Sequence, residues 1–191
     1  MPRGALVIIS GPSGAGKGTL VDRLVARVPR MWVSVSATTR AARPGEVDGE
    51  DYVFLTPAEF SQRIESGDFL EWAEVHGNRY GTLRSSVEDR LAEGRDVILE
   101  IDPQGALQVK DLMPEAVLVF IIAPSMDELE RRIRKRGAET DEQVRTRLAT
   151  AVGELELVGT YDHVVENDDV SRATDELVDI IGSLHSTEGQ S

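Results

Sequence analysis

The stretch Ala5-Leu6-Val7-Ile8-Ile9-Ser10, followed directly by Gly11-Pro12-Ser13-Gly14-Ala15-Gly16-Lys17-Gly18-Thr19, decides the fold. Its first part is an unbroken apolar run, the pattern of a strand buried on both faces of a parallel sheet. Beyond the glycines, Leu20, Val21, Leu24, Val25 and Val28 recur at helical spacing on one face. A glycine-rich turn between strand and helix gathers backbone N–H groups and a helix N-terminus on one point, and so cradles an anion. Glycines let the backbone wrap a phosphate closely, and Lys17 can reach the β/γ oxygens of a nucleoside triphosphate. The usual phosphate-loop pattern has Ser or Thr directly after the lysine, with its hydroxyl on Mg²⁺; here Gly18 stands there and Thr19 follows. Either the Thr19 hydroxyl substitutes, or the metal is held by water, phosphate and carboxylates, as Mg²⁺ tolerates. A plain glycine-rich surface turn is the alternative, disfavoured by the strand and helix standing in the required order.

A chain of 191 residues suits one α/β domain with insertions. No run approaches the ~20 apolar residues of a membrane span, and Met1-Pro2-Arg3-Gly4 leads straight into the first strand, so no secretory signal is expected. With no cysteine, disulfides, thiolate metal sites and a cysteine nucleophile are excluded, and a reducing, cytoplasmic setting is expected. His76, His163 and His185 lack metal-ligand spacing. A net charge of −13 argues against nucleic acid or a membrane surface as partner. Between Arg131 and Arg147, however, seven basic residues face three acidic ones, a local +4. Such a run is either a solvated helix face with mixed charges or a surface for a compact polyanion, and the phosphate loop favours the second.

Apolar strands at 5–10, 97–101, 117–122 and 163–166 alternate with helical patterns, which predicts a parallel sheet flanked by helices; 32–36 is a candidate fifth strand. Helices are expected at 19–28, 57–66, 83–93, 104–112, 125–136, 141–158 and 170–184. Two begin with capping boxes, Thr56-Pro57-Ala58-Glu59 and Thr140-Asp141-Glu142-Gln143. Residues 36–84 break the alternation and read as a small insertion with a short strand at 52–55, on the carboxyl side of the sheet where ligands bind. The basic 125–148 segment reads as a helical hairpin over the same edge. Residues 185–191 read as a disordered polar tail.

The stretch from Ser34 through Arg40, Arg43, Pro44, Gly45 and Glu46 to Tyr52 resembles the acceptor-phosphate motif of guanylate kinases. With the phosphate loop, Leu70-Glu71-Trp72-Ala73, Tyr80-Gly81-Thr82, Arg136-Gly137-Ala138-Glu139-Thr140 and Val165-Glu166-Asn167-Asp168, the resemblance covers about residues 4 to 184. It implies a phosphate-loop core at about 4–35, 85–124 and 149–184, a GMP-binding insertion at about 36–84 and a lid at about 125–148. It further implies Mg²⁺-dependent transfer of the ATP γ-phosphoryl group to GMP, and to dGMP, in purine nucleotide metabolism. Residues 11–19 and Asn167 would bind ATP. Ser36, Arg40, Arg43, Tyr52 and Tyr80 would hold the phosphate side of GMP, and Glu71, Thr82 and Asp102 would read guanine. Lys17, Arg40, Arg132, Arg136 and Arg147 would carry the transfer. Apart from the resemblance, Glu100 and Asp102 stand at the carboxyl end of the 97–101 strand near the phosphate crevice, where they can organise Mg²⁺ through its waters, beside Thr19 as the other metal candidate.

The chemistry of these residue types agrees. Guanidinium forks bind phosphate oxygens bidentately, and a carboxylate accepts from both N1–H and the 2-amino group of guanine, which adenine cannot offer. From the residues alone, Arg40 and Arg43 could instead be surface charges pairing with Glu46 or Asp48, and Glu71 a mere helix or strand-edge charge. Asp102 has two candidate roles, at the base and at the metal. Two rival functions remain: a kinase of the same fold acting on another monophosphate or a sugar phosphate, and a catalytically inactive module of the same family used for binding.

Overall fold

The computed structural model describes residues 3–75, 77–135 and 140–186. Strand β1 (Leu6–Ser10) is buried along its whole length, and it sits at the centre of a five-stranded sheet. Its neighbours are β7 (Asp96–Glu100) and β8 (Val117–Ile122), with β2 (Met31–Val33) and β9 (His163–Glu166) at the edges, all parallel. Alternate side chains of β1 feed two cores. Val7 and Ile9 join Leu20, Val21 and Leu24 of α1 (Lys17–Arg27) and Ala173, Leu177 and Ile181 of α7 (Val170–Ser186). Leu6 and Ile8 join Val87 and Leu91 of α3 (Arg84–Ala92) and Ala106 and Val109 of α4 (Pro103–Leu112). Each fully buried Leu or Ile contributes about 1.5–3 kcal/mol of burial, so this doubly covered sheet is the rigid frame of the molecule.

A second, four-stranded sheet is built from β3 (Ala37–Thr38), β4 (Val53–Phe54), β5 (Phe69–Val75) and β6 (Asn78–Leu83), in the order β4-β3-β6-β5. Helix α2 (Pro57–Glu65) covers it: Phe60 stacks on Phe69 with ring centroids 4.4 Å apart, beside Ala37 and Leu83. The expected strand at 52–55 is β4, whereas β3, β5 and β6 were not read from sequence. Adjacent residues of β5 face opposite sides, so Phe69 enters the small core and Leu70 the large one, and a register shift between Phe69 and Glu71 interrupts the pairing with β6. Helix α4 packs on β5 and so joins the two sheets.

The third unit is a hairpin of α5 (Met126–Lys135) and α6 (Asp141–Leu155), closed by Leu129, Ile133, Val144 and Ala151. Both expected capping boxes are formed, at the starts of α2 and α6. Helix α6 stops at Leu155, short of the expected 158, and a 3-10 turn at Val158–Thr160 follows. His185 is not part of a tail: it lies in α7, its ring within 2.9 Å of the buried Asp96 carboxylate, whose other oxygen accepts from the Ala5 N–H. The rest of the expected tail, from 187, lies outside the described residues.

Candidate active site

The phosphate loop leaves β1 and enters α1 at the carboxyl ends of the strands. Gly16 caps α1 at φ 94°, ψ 20°, with no side-chain cap on the helix's first amides, so these donors are available to an anion. Only glycine fits there: a Cβ on Gly16 would lie 2.4 Å from Asn167 Nδ2, and that nitrogen is needed to donate to the Ala15 carbonyl at 2.7 Å. Asn167 follows β9 directly and is 2 % exposed, so the far edge of the sheet braces the loop. Lys17 Nζ donates to the Gly11 and Pro12 carbonyls at 2.5 and 3.2 Å, folding back over the loop. A cavity of about 300 Å³ is lined by Gly11, Ser13, Gly14, Gly16, Lys17, Gly18, Glu100, Ile101, Asp102 and Glu154.

The residues expected on the acceptor side lie in or beside the second sheet. Chain 40–52 is stapled by its own carboxylates: Asp48 accepts from Phe54 N–H at 2.9 Å, Asp51 from Val47 N–H at 2.7 Å, and Glu46 from Arg43 N–H at 2.7 Å. Arg40 lies over the Tyr52 ring, 5.1 Å from its centroid, and the Tyr52 and Tyr80 rings are 6.1 Å apart. Ser36 is adjacent through its carbonyl, which accepts from Val53 N–H. Ser36, Arg40, Tyr52 and Tyr80 are thus brought together, while Arg43 is exposed at the rim. The pairing weighed for Arg40 is formed: Glu46 binds its guanidinium with two hydrogen bonds, at 3.0 and 2.8 Å. That contact holds the Glu46 carboxyl below its ordinary range.

Glu71 stands where the two sheets meet. It is 7 % exposed, and its Oε1 accepts from the Thr82 hydroxyl at 2.7 Å on the paired strand. Burial raises its carboxyl pKa; the Thr82 hydrogen bond opposes this and the nearby Asp102 charge adds to it. Asp102 caps α4, accepting from Gly105 N–H at 2.9 Å. Glu71, Thr82 and Asp102 therefore form one polar cluster, and Asp102 also lines the phosphate cavity. Gly105 gives the cluster room, since a Cβ there would lie 3.0 Å from Glu71 Oε2 and crowd that side chain. Sequence reading missed Gly105, although a glycine inside a helix costs about 1 kcal/mol against alanine and so signals a packing reason.

Two arginines of the α5–α6 hairpin reach the loop. Arg147 donates to Ser13 Oγ at 3.2 Å, and Arg132 to the Asn167 carbonyl at 2.9 Å and the Ala15 carbonyl at 3.4 Å. Arg136 lies outside the described residues. The local positive charge is partly answered one turn earlier, because Glu128 pairs with Arg131 and Arg132 and is thereby held down at about 2. Thr19 is separated from its expected companions. It is exposed and lines a neighbouring cavity of about 440 Å³ with Gly14, Gly16, Arg132 and Asn167, so it does not join Glu100 and Asp102. A second residue missed in the sequence is Glu154 of α6, which lines the phosphate cavity two turns after Arg147. Only its i+7 spacing from Arg147 could have pointed to it.

The family model described as guanylate kinase matches residues 3–184. A guanylate kinase of Desulfitobacterium hafniense is 53 % identical over 178 residues, 93 % of this chain and 89 % of its own. One from Rubrobacter xylanophilus is 50 % identical over 181 residues, 95 % of each. The crystal structure of guanylate kinase from Anaplasma phagocytophilum superposes with a TM-score of 0.74 at 34 % identity, covering 95 % of this chain and 86 % of that one. A gluconokinase from Sinorhizobium meliloti, at 15 % identity and a TM-score of 0.53 over 100 % of this chain and 99 % of that one, shares the fold alone. The chain thus belongs to the guanylate kinase family.

Proposed function

We propose that the cleft divides into two nucleotide sites: the phosphate loop with Lys17 and Asn167 takes ATP, and the second sheet takes GMP. In this reading residues 36–84 form the acceptor unit, 125–148 the lid and the remainder of 4–184 the core. The enzyme is an ATP:GMP phosphotransferase. An oxygen of the GMP phosphate attacks Pγ in line, the bond from Pγ to the β,γ-bridging oxygen breaks, and ADP leaves with that electron pair. The nucleophile is already anionic, so no general base is needed. The obstacle is repulsion between two polyanions that must come to ~3 Å. Lys17, Arg40, Arg43, Arg132, Arg136 and Arg147 supply the opposing charge, and fixed donors stabilise its redistribution in the transition state. The core braces the donor loop, and the lid covers it, which excludes water from the γ-phosphoryl group.

Glu71 reads guanine as an ionised acceptor, with Thr82 orienting it and Asp102 completing the edge. The observation that carries this is the buried Glu71 carboxylate at the junction of the sheets, bonded to Thr82 and backed by Gly105. A site that bonds a substrate N–H rejects an analogue lacking it by ~10⁴.

The donor set also suits a hard dication. Glu100 and Asp102 place oxygens in the phosphate cavity, with the Glu100 carboxylate 3.8 Å from the position a Gly18 Cβ would take. Among the described residues no three His, Cys, Asp or Glu side chains group to bind a metal directly. Mg²⁺ would therefore be held through water and phosphate, where it supplies charge neutralisation. No helix among the described residues is long and apolar enough to cross a membrane, and we place the enzyme in the cytoplasm, with its nucleotide substrates. The test is a coupled assay of ADP release with GMP, dGMP, AMP, UMP or no acceptor, with and without Mg²⁺. Turnover with GMP and dGMP alone, lost without the metal, is expected; equal turnover with AMP would remove the guanine reading.

A further inference from the structure

Arg40 has five N–H donors, and three are committed. Its Nη1 donates to the Ala41 carbonyl at 2.8 Å and to Glu46 Oε2 at 3.0 Å, and its Nη2 donates to Glu46 Oε1 at 2.8 Å. The carboxylate thus occupies the end-on edge of the guanidinium. The donors outside these bonds, Nε–H and the second Nη2–H, lie parallel on the adjacent edge with the Tyr80 hydroxyl beside the guanidinium, and match two oxygens of one phosphate.

Everything around the pair fixes that choice of edge. The side chains of Arg40 and Glu46 are only 15 % and 19 % exposed. The rings of Tyr52 and Phe54 lie 5.1 and 5.8 Å from the guanidinium carbon. Glu46 is itself anchored, because its Oε2 also accepts from Arg43 N–H at 2.7 Å while its own N–H donates to the Arg43 carbonyl at 3.0 Å. A rotamer-rich side chain held in its binding geometry loses less freedom when the ligand arrives.

We propose that Glu46 is a positioning residue for GMP: by filling the end-on edge of Arg40 it presents the Nε/Nη2 edge to the acceptor phosphate. This rests on the reading that Arg40 holds that phosphate. It also carries a sign that simple electrostatics does not. Removing Glu46 makes the acceptor site more positive, which by charge alone would tighten binding of a dianion. Positioning requires the opposite, a weaker site.

The experiment compares Glu46→Gln, Glu46→Ala, Arg40→Ala and the double variant Arg40→Ala/Glu46→Ala by steady-state kinetics, calorimetric GMP binding and thermal melting. Glu46→Gln guards against a misfolded loop, since glutamine keeps an acceptor for Arg43 N–H. Each Glu46 variant should raise KM for GMP about tenfold, the loss of one charged hydrogen-bonding partner, with KM for ATP unmoved and kcat much less affected, and Glu46→Gln should melt close to wild type. In the Arg40→Ala background, Glu46→Ala should add nothing, because its effect passes through Arg40. A KM for GMP that falls or stays constant in the Glu46 variants overturns the proposal. So does an equal penalty in both backgrounds, which would mean that Glu46 serves only the loop. If Arg40→Ala itself leaves GMP binding unaltered, the phosphate role of Arg40 falls, and the positioning role with it.

Discussion

In the proposed reading the phosphate loop and the 40–52 loop each hold an anion, and they are made rigid by opposite means. The first hangs between a fully buried strand and a helix, braced by Asn167 on the Ala15 carbonyl and by the conformation of Gly16. Its anion-binding groups are largely backbone amides, which neither titrate nor rotate. The second is attached to strands of two residues each and kept in shape by the carboxylates of Glu46, Asp48 and Asp51. Its anion-binding groups are side chains. A donor site built on backbone should tolerate most side-chain changes apart from its lysine, whereas the acceptor site should be sensitive to single charges and to pH.

The lysine is therefore the sharpest test of the donor side. Lys17→Ala should lower kcat by about 10³, the upper range for losing one preorganised donor to a developing charge, while circular dichroism and melting stay close to wild type. Retained turnover would break the donor assignment, because no other lysine lies in the loop.

The two frames can be separated by their cores. Phe60 is wholly buried in the small cluster with Phe69, Ala37 and Leu83, which shares none of its buried members with the two large clusters. Phe60→Ala should cost about 3–5 kcal/mol, concentrated in the acceptor sheet. Hydrogen exchange should quicken in β3 to β6 and leave β1, β7 and β8 protected, with GMP binding lost before ATP binding. Uniform loss of protection would show the two sheets to be one cooperative unit and remove the contrast between them.

The same contrast explains what could be read from the chain. The central sheet was legible because a strand buried on both faces is a plain apolar run, and β1, β7, β8 and β9 each match their expected spans to within one residue. The candidate fifth strand is present but ends at Val33 instead of residue 36. In the second sheet the local signal fails: β3 is too short to show a period, and Phe69, Leu70 and Glu71 of β5 are buried on both faces, which hides its alternation. The grouping of Glu71, Thr82 and Asp102 came only from the family resemblance, since no local pattern reports that β5, β6 and α4 meet. Thr19 was assigned to the metal by its distance along the chain, yet one further residue on a helix turns a side chain by about 100°, into the adjoining cavity.

At the joint between the frames, Glu71 should respond to both mutation and pH. Glu71→Gln keeps the shape but loses the charge, and should lower kcat/KM for GMP about tenfold with little change for ATP. Burial raises the Glu71 pKa above its usual 4.5, so in wild type KM for GMP should climb as pH falls through that raised value, and the variant should lack this limb. Stability runs the other way. The folded chain binds this proton more tightly than the unfolded one, so the site's contribution grows as pH drops and is lost as pH rises through the folded pKa. Glu71→Gln should then melt slightly higher than wild type at neutral pH. A variant that is both less stable and unaltered toward GMP would make Glu71 a structural residue.

Gly18 offers the smallest effect and the cleanest control. It is the second residue of α1, and a Cβ there would meet the Glu100 carboxylate oxygens at 3.8 and 4.0 Å, an ordinary contact. Nothing in the space around it demands glycine. Gly18→Ala should therefore stabilise the fold by about 0.5–1 kcal/mol through helix propensity alone, seen as a small rise in melting temperature. Gly18→Ser adds a hydroxyl between Lys17 and Glu100, where the usual phosphate-loop pattern carries its metal-facing oxygen. The difference between the serine and alanine variants then isolates that oxygen from the helix effect. If Glu100 and water already serve Mg²⁺ in this chain, the two variants should need nearly the same Mg²⁺ concentration for half-maximal turnover. A serine variant that saturates at far lower Mg²⁺ would mean that the cavity lacks a ligand which Glu100 does not replace.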